Sequence, residues 1–159
     1  MATPTYDLIA THTATTTPTT ITISNIDSSY RDLVIVYSGQ VTQYDGWLGL
    51  QFNGVTSQQY LTMQINESGV SKQNQAEIRW GQHLYTSPSN GLINIFDANQ
   101  TNKDKSFNYV SGGNGTLQGP GHGAGRWDNT AAITSVTLKG QGGLNFQNGF
   151  TLSIYGIVG

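Results

Sequence analysis

The chain has no cysteine. That removes disulfides, thiolate metal sites and cysteine nucleophiles together, and it is compatible with synthesis in a reducing cytoplasm. Charge is also scarce: Asp, Glu, Lys and Arg make up 10% of the 159 residues, against about 25% in typical soluble domains. The seven Lys and Arg are spread over the whole length, without the basic cluster that phosphate contacts need, so no nucleic-acid partner is expected. No stretch approaches the roughly 18 apolar residues of a membrane span. Met1–Thr5 shows no basic region leading into an apolar run, so neither a membrane partner nor a signal peptide is expected. Helical patterning is missing too. Apolar residues nowhere recur at three-four spacing for three turns, and Gly, Thr and Asn, poor residues for a helix interior, interrupt nearly every window. One short helical turn is expected, at Ser71–Ile78.

What is present is a chain that can fold. Hydrophobic residues make up 36% and the net charge is -2, which is not the profile of disorder. The length suits one domain spanning 1–159. Period-two alternation marks the strands. Leu48, Leu50 and Phe52 share one face opposite Gly49 and Gln51; Phe150, Leu152 and Ile154 share one opposite Thr151 and Ser153. Leu61, Met63 and Ile65 are expected to point inward on a strand over Gln59–Asn66. Leu33-Val34-Ile35-Val36-Tyr37 is an unbroken apolar run, expected to form a central strand covered on both faces. Further strands are expected at Tyr6–His12, Thr19–Ser24, Ile78–Tyr85, Gly91–Asp97, Lys105–Ser111 and Trp127–Leu138. The pairs Asn53-Gly54, Asn90-Gly91, Asn114-Gly115 and Asn148-Gly149 are expected chain reversals, because Asn-Gly tolerates positive φ. The fold class is therefore all-β, a jelly-roll-like antiparallel β-sandwich of about eight to ten strands. Leu33, Ile35, Leu50, Phe52, Ile133, Val136, Phe150, Leu152 and Ile154 are its expected core.

Catalytic patterns are weak. Glu67 and Glu77 are the only glutamates, the aspartates are scattered, and no paired-carboxylate spacing stands out. His12, His83 and His122 form no H-x-H or H-E-x-x-H pattern, so no metal, cofactor or catalytic residue is proposed. Two segments are candidate contact surfaces. Ten threonines fall in the first 22 residues. Thr15, Thr16, Thr17 and Thr19 belong either to an extended edge segment or loop, or to an arm (within residues 1–20) reaching a neighbouring subunit. Gly112–Gly125, containing Gly121, His122 and Gly123, is expected to be a long loop between strands, or a contact loop at a symmetry axis or on a ligand surface. Trp47 and Trp80 lie on a chain rich in Asn and Gln. They are either packing residues or platforms for a glycan.

Five segments carry a resemblance: Leu8-Ile9-Ala10-Thr11-His12-Thr13, Tyr30-Arg31-Asp32-Leu33-Val34-Ile35, Leu48-Gly49-Leu50-Gln51-Phe52-Asn53-Gly54, Trp127-Asp128-Asn129-Thr130-Ala131-Ala132-Ile133-Thr134-Ser135-Val136-Thr137-Leu138, and Phe150-Thr151-Leu152-Ser153-Ile154-Tyr155-Gly156-Ile157. In this order they resemble small virion structural proteins of tailed bacteriophages, cyanophages especially. The ending carries Ser153-Ile154 where a shorter one is more usual, and Val55–Asn90 matches little. The resemblance implies a non-enzymatic role as a capsid decoration or cement protein, with the major capsid protein and further copies of itself, as a homotrimer, for partners. The alternative it implies is a tail or head fibre module contacting other virion proteins or host-surface glycans. The implied location is the virion, after synthesis in the bacterial host's cytoplasm. No catalytic residues come with it. A carbohydrate-active enzyme on a jelly-roll scaffold is the rival from another class, and it would need two carboxyl groups facing one cleft.

Overall fold

The computed structural model describes residues 5–42, 46–66, 69–83, 88–113 and 121–159, and every regular element among them is a strand. In chain order these are β1 (Asp7–Thr13), β2 (Thr20–Ser24), β3 (Tyr30–Gly39), β4 (Gly46–Phe52), β5 (Tyr60–Asn66), β6 (Gly69–Gln75), β7 (Ile78–His83), β8 (Ser89–Ile95), β9 (Lys105–Gly113), β10 (Gly121–Trp127), β11 (Ser135–Gly140) and β12 (Thr151–Val158). They form an eight-stranded sheet, β1-β12-β3-β8-β9-β10-β5-β6, and a four-stranded sheet, β2-β11-β4-β7. All pairings are antiparallel.

The pairs β1·β12, β2·β11, β3·β8 and β4·β7 nest inside one another and alternate between the two sheets. That nesting is the winding of a jelly roll. The remaining strands, the pairs β5·β6 and β9·β10, lengthen the larger sheet on one side. The expected sandwich is therefore present, with twelve strands because β6 and β10 were not expected. Ser71 to Gln75 belongs to β6 rather than to a helical turn.

The core lies between the sheets, and all nine expected core residues are in it at 2% exposure or less. Fully burying one such aliphatic or aromatic side chain stabilises by about 1.5–3 kcal/mol. Two aromatic clusters anchor it. Trp127 meets Phe52 edge-on at 5.4 Å and stacks on Tyr60 at 6.3 Å, while Tyr37 meets Trp80 at 4.6 Å and stacks on Phe150.

Several strands hold glycine where a neighbouring ring needs room. Gly123 is opposite Tyr109 and Gly125 opposite Phe107, and a Cβ there would lie 2.5 Å and 2.6 Å from the ring carbons. Aromatic cover of a cross-strand glycine explains why Gly121–Trp127 is a strand and not the expected loop. Gly91 is likewise covered by Tyr37, so Asn90-Gly91 runs within β8 instead of reversing the chain. Asn53-Gly54 does turn, with φ of 52° and 66° and Val55 N–H donating to Phe52 O at 3.0 Å. At Asn148-Gly149 only the glycine has positive φ, 87°, and Phe150 N–H donates to Gln147 O. Asn114-Gly115 lies outside the described residues.

Three further expectations are corrected. On β5 it is Tyr60 and Thr62 that are buried, while Met63 is 50% exposed. The Tyr60 hydroxyl accepts from Phe52 N–H at 2.7 Å, and that bond fixes which face of β5 turns inward. On β3, Leu33, Ile35 and Tyr37 face the core, and the outer face is covered only in part, with Val34 buried and Val36 half-buried. The segment from Trp127 to Leu138 is not one strand: residues 128–134 cross from one sheet to the other before β11 begins. That crossing is held by Asn53, whose Nδ2 donates to Ala132 O while its Oδ1 accepts from Thr134 N–H and Ser135 N–H at 2.8 and 3.1 Å.

Candidate functional site

The outer face of the four-stranded sheet is built by the residues that alternation turns away from the core. Leu48, Leu50 and Phe52 go inward, so Trp47, Gly49 and Gln51 go outward. In the same way β11 presents Thr137 and Lys139, and β7 presents Arg79. The strand register aligns Lys139, Gly49 and Arg79 on one rung across β11, β4 and β7. The glycine between the two cations leaves a gap, and the Glu77 carboxylate lies over it.

Around this rung is an open groove of about 490 Å³. Gln51 is its buried floor, with Nε2 donating to Ala76 O at 3.2 Å and Oε1 accepting from Lys139 Nζ at 3.4 Å. Thr56 and Gln58 form one wall, Asn74 and Gln75 another. Glu77 is committed on both oxygens: Trp47 Nε1 donates to Oε1 at 3.3 Å and Gln141 Nε2 to Oε2 at 2.8 Å. The Arg79 guanidinium lies over the Trp47 ring, 4.2 Å from its centroid, a cation–π arrangement. Among the described residues neither Arg79 nor Lys139 has a carboxylate within 4 Å; the four ion pairs involve Arg31, Lys103 and Arg126.

The outer face of the eight-stranded sheet differs in kind. Register places Leu8, Tyr155, Val34, Asn94, Asn108, Ala124 and Met63 on one rung across seven strands. Ser153, Val36, Leu92, Val110 and His122 make the next. No Asp, Glu, Lys or Arg stands at these positions, although the first rung continues onto β6 at Lys72. Leu8, Met63 and Val110 are each at least half exposed. Tyr155 and Ile157 are half-buried on this face.

The described ion pairs gather at one end of the sandwich, where β3 and β9 begin and β8 and β10 finish. Arg31 pairs with Asp32, Lys103 with Asp97, and Arg126 with Asp104 and Asp128. At their centre Lys105 is fully buried and donates to the carbonyls of Lys103, Asn129 and Thr130 at 2.9–3.3 Å. Three acceptors match the three protons of an ammonium. Desolvation pulls its pKa below the ordinary lysine value, while Asp104 and Asp97 act in the opposite sense.

The residues singled out in the sequence do not meet at one place. Trp80 is corrected from candidate platform to core: it is fully buried, and its Nε1 donates to Val110 O at 3.1 Å. Trp47 does reach the groove, but with Arg79 on its ring it offers no bare platform on that side. Thr15, Thr16, Thr17 and Thr19 are exposed on the β1–β2 connection. Backbone bonds fasten this segment to its own sandwich at both ends. Ala14 N–H donates to Phe150 O, Phe146 N–H to Pro18 O and Gly140 N–H to Thr19 O, each at 2.8–2.9 Å. Gly121, His122 and Gly123 are on β10, far across the other sheet. His12 on β1 and His122 on β10 are separated by four strands, and no three His, Asp or Glu among the described residues come together as a metal site. The groove residues Gln51, Arg79, Lys139 and Gln141 were missed. Alternation alone turns the first three outward, but only the β11·β4·β7 register brings them together.

No protein-family model matches the chain, and no curated protein does. Among solved structures it is similar to an exo-inulinase from Aspergillus awamori, at 11% identity and a TM-score of 0.48. That match covers 95% of this chain, which spans 29% of the inulinase's length. It is also similar to a marine PL-14 alginate lyase from Aplysia kurodai, at 9% identity and a TM-score of 0.25, covering 77% of this chain and 72% of the lyase.

Proposed function

We propose that this chain is a non-enzymatic structural protein of a bacteriophage virion, a decoration or cement protein on the capsid exterior. It bridges neighbouring major-capsid subunits and assembles with copies of itself as a homotrimer. The observation that supports this best is the outer face of the eight-stranded sheet. It is broad, uncharged along two rungs from β12 to β10, and half-exposed at Leu8, Met63 and Val110. Exposed apolar surface rimmed by polar residues is what protein–protein contacts use. The segments that resemble phage virion proteins build the framework: β1, β3, β4, β11 and β12, with the Asn53 clamp joining two of them. Their role is structural, in keeping with a protein whose work is mechanical.

A binding role is favoured over a hydrolytic one by the groove itself. Its described lining holds one carboxylate, Glu77, already bonded on both oxygens, where glycoside hydrolysis uses a pair. The test is particle composition and strength. Purified mature particles should contain the chain, and particles made without it should release their genome at lower temperature. Its absence from purified particles would refute the proposal.

The groove supports a second reading, a fibre or decoration module that binds host-surface glycans. Its amides can both donate to and accept from sugar hydroxyls. The two readings are compatible, because the groove is floored by the four-stranded sheet and the docking face belongs to the eight-stranded one.

A further inference from the structure

We propose that the groove on the four-stranded sheet selects an acidic saccharide, a sugar chain bearing carboxylates. This rests on the second reading above and adds to it the chemical class of the glycan.

Arg79 and Lys139 are the reason. They flank Gly49 on one rung, and neither has a carboxylate partner within 4 Å among the described residues. Among the described residues Glu77 is the acidic group beside them, and its oxygens are held by Trp47 Nε1 and Gln141 Nε2. Elsewhere this low-charge chain does pair its cations, Arg31, Lys103 and Arg126 each with an aspartate. Among the described residues the groove thus carries two positive charges against one negative, with no counter-ion for the excess. Two cations about two strand spacings apart, roughly 10 Å between Cα atoms, suit carboxylates repeated along a chain better than one small anion.

The rest of the lining favours a saccharide over other anions. Thr56, Gln58 and Asn74 are exposed on the walls, and Gln51 is fixed on the floor by Ala76 O and Lys139. Alternating donors and acceptors fit hydroxyl groups. Trp47 carries Arg79 on its ring, so the aromatic group holds a cation in place instead of offering that face to a neutral sugar. Charge-assisted hydrogen bonds from an oriented guanidinium are about twice as strong as neutral ones.

The test is calorimetric titration of the full chain with trigalacturonate and with neutral galactotriose, at low and at high salt. Trigalacturonate should bind at least about tenfold more tightly, and the preference should shrink as salt rises. R79Q and K139Q should each cost about fivefold or more toward trigalacturonate without moving the thermal midpoint. Equal affinity for both sugars would overturn the charge selectivity and leave the glycan reading standing. Binding of neither sugar would overturn both. An acidic peptide of repeated glutamates binding as tightly as trigalacturonate would overturn the saccharide class. The salt dependence needs no variant, so the proposal remains open to refutation even if a substitution disturbs folding.

Discussion

The two outer faces of this sandwich are made by the same rule and end in opposite chemistry. On both sheets alternate residues enter the core and the others face out. Over the eight-stranded sheet the outward residues include Leu8, Tyr155, Asn94, Asn108, Val110 and Met63, and the two central rungs are uncharged from β12 to β10. Over the four-stranded sheet they are Trp47, Gln51, Arg79 and Lys139, walled into a groove by Thr56, Gln58 and Asn74. The core sets no requirement on outward positions, so each face is free to specialise. The charged end shows a third outcome: there the cations are matched by aspartates or backbone carbonyls, and the result is a fastening rather than a site.

That contrast can be tested by substitution. The largest effect is expected at the charged end. Lys105→Met leaves three backbone carbonyls without their donor, and each buried unpaired group costs on the order of 1–3 kcal/mol. A total loss of about 3 kcal/mol in denaturant unfolding is expected, and no change near that size would show that the ammonium is not a structural fastener.

Alkaline pH should follow. Burial raises Tyr60 and Tyr109 from 10.0 to about 12. A raised folded-state pKa gives stability that is complete below pH 10 and lost as pH climbs through about 12, at about 1.4 kcal/mol for each pH unit separating the folded and unfolded values. The lowered pKa of Lys105 opposes this loss below its ordinary 10.5. Tyrosinate absorbance should therefore rise in two phases, the later one coinciding with loss of strand signal in circular dichroism. A single phase at the ordinary tyrosine pKa would contradict the packing described.

Smaller effects on stability are expected on the two faces. Met63→Glu and Val110→Glu, both on exposed side chains, should change stability by less than about 0.5 kcal/mol while weakening incorporation into particles. R79Q should be as mild for folding, its cost falling on the groove instead. Either pair of results reversed, with the apolar face indifferent to assembly or the groove cation essential to folding, would break the division of labour between the faces.

Much of the inward half of this molecule could be read from the sequence, and much of the outward half could not. Leu48, Leu50, Phe52, Phe150, Leu152 and Ile154 announced their faces because burial demands alternation. β5 misled because its apolar residues Leu61 and Met63 lie outward, the inward position going to Tyr60 through its bond to Phe52. β10 was hidden because Gly123 and Gly125 have no side chain to alternate; the rings that cover them sit on β9. Trp80 could not be placed by type alone, since a tryptophan serves a core or a surface equally well. The groove was out of reach for a different reason. Lys139, Gly49 and Arg79 are dispersed along the chain and become neighbours only through strand register.

The central claim is that one face docks and the other is presented. The most direct measurement is a cryo-electron-microscopy reconstruction of the phage particle proposed to carry this chain. The account predicts density for the sandwich on the capsid exterior, with the Met63–Val110 face against the shell or a sister subunit and the Arg79–Lys139 groove open to solvent. Density with the groove buried against the shell and the eight-stranded face bare would contradict it.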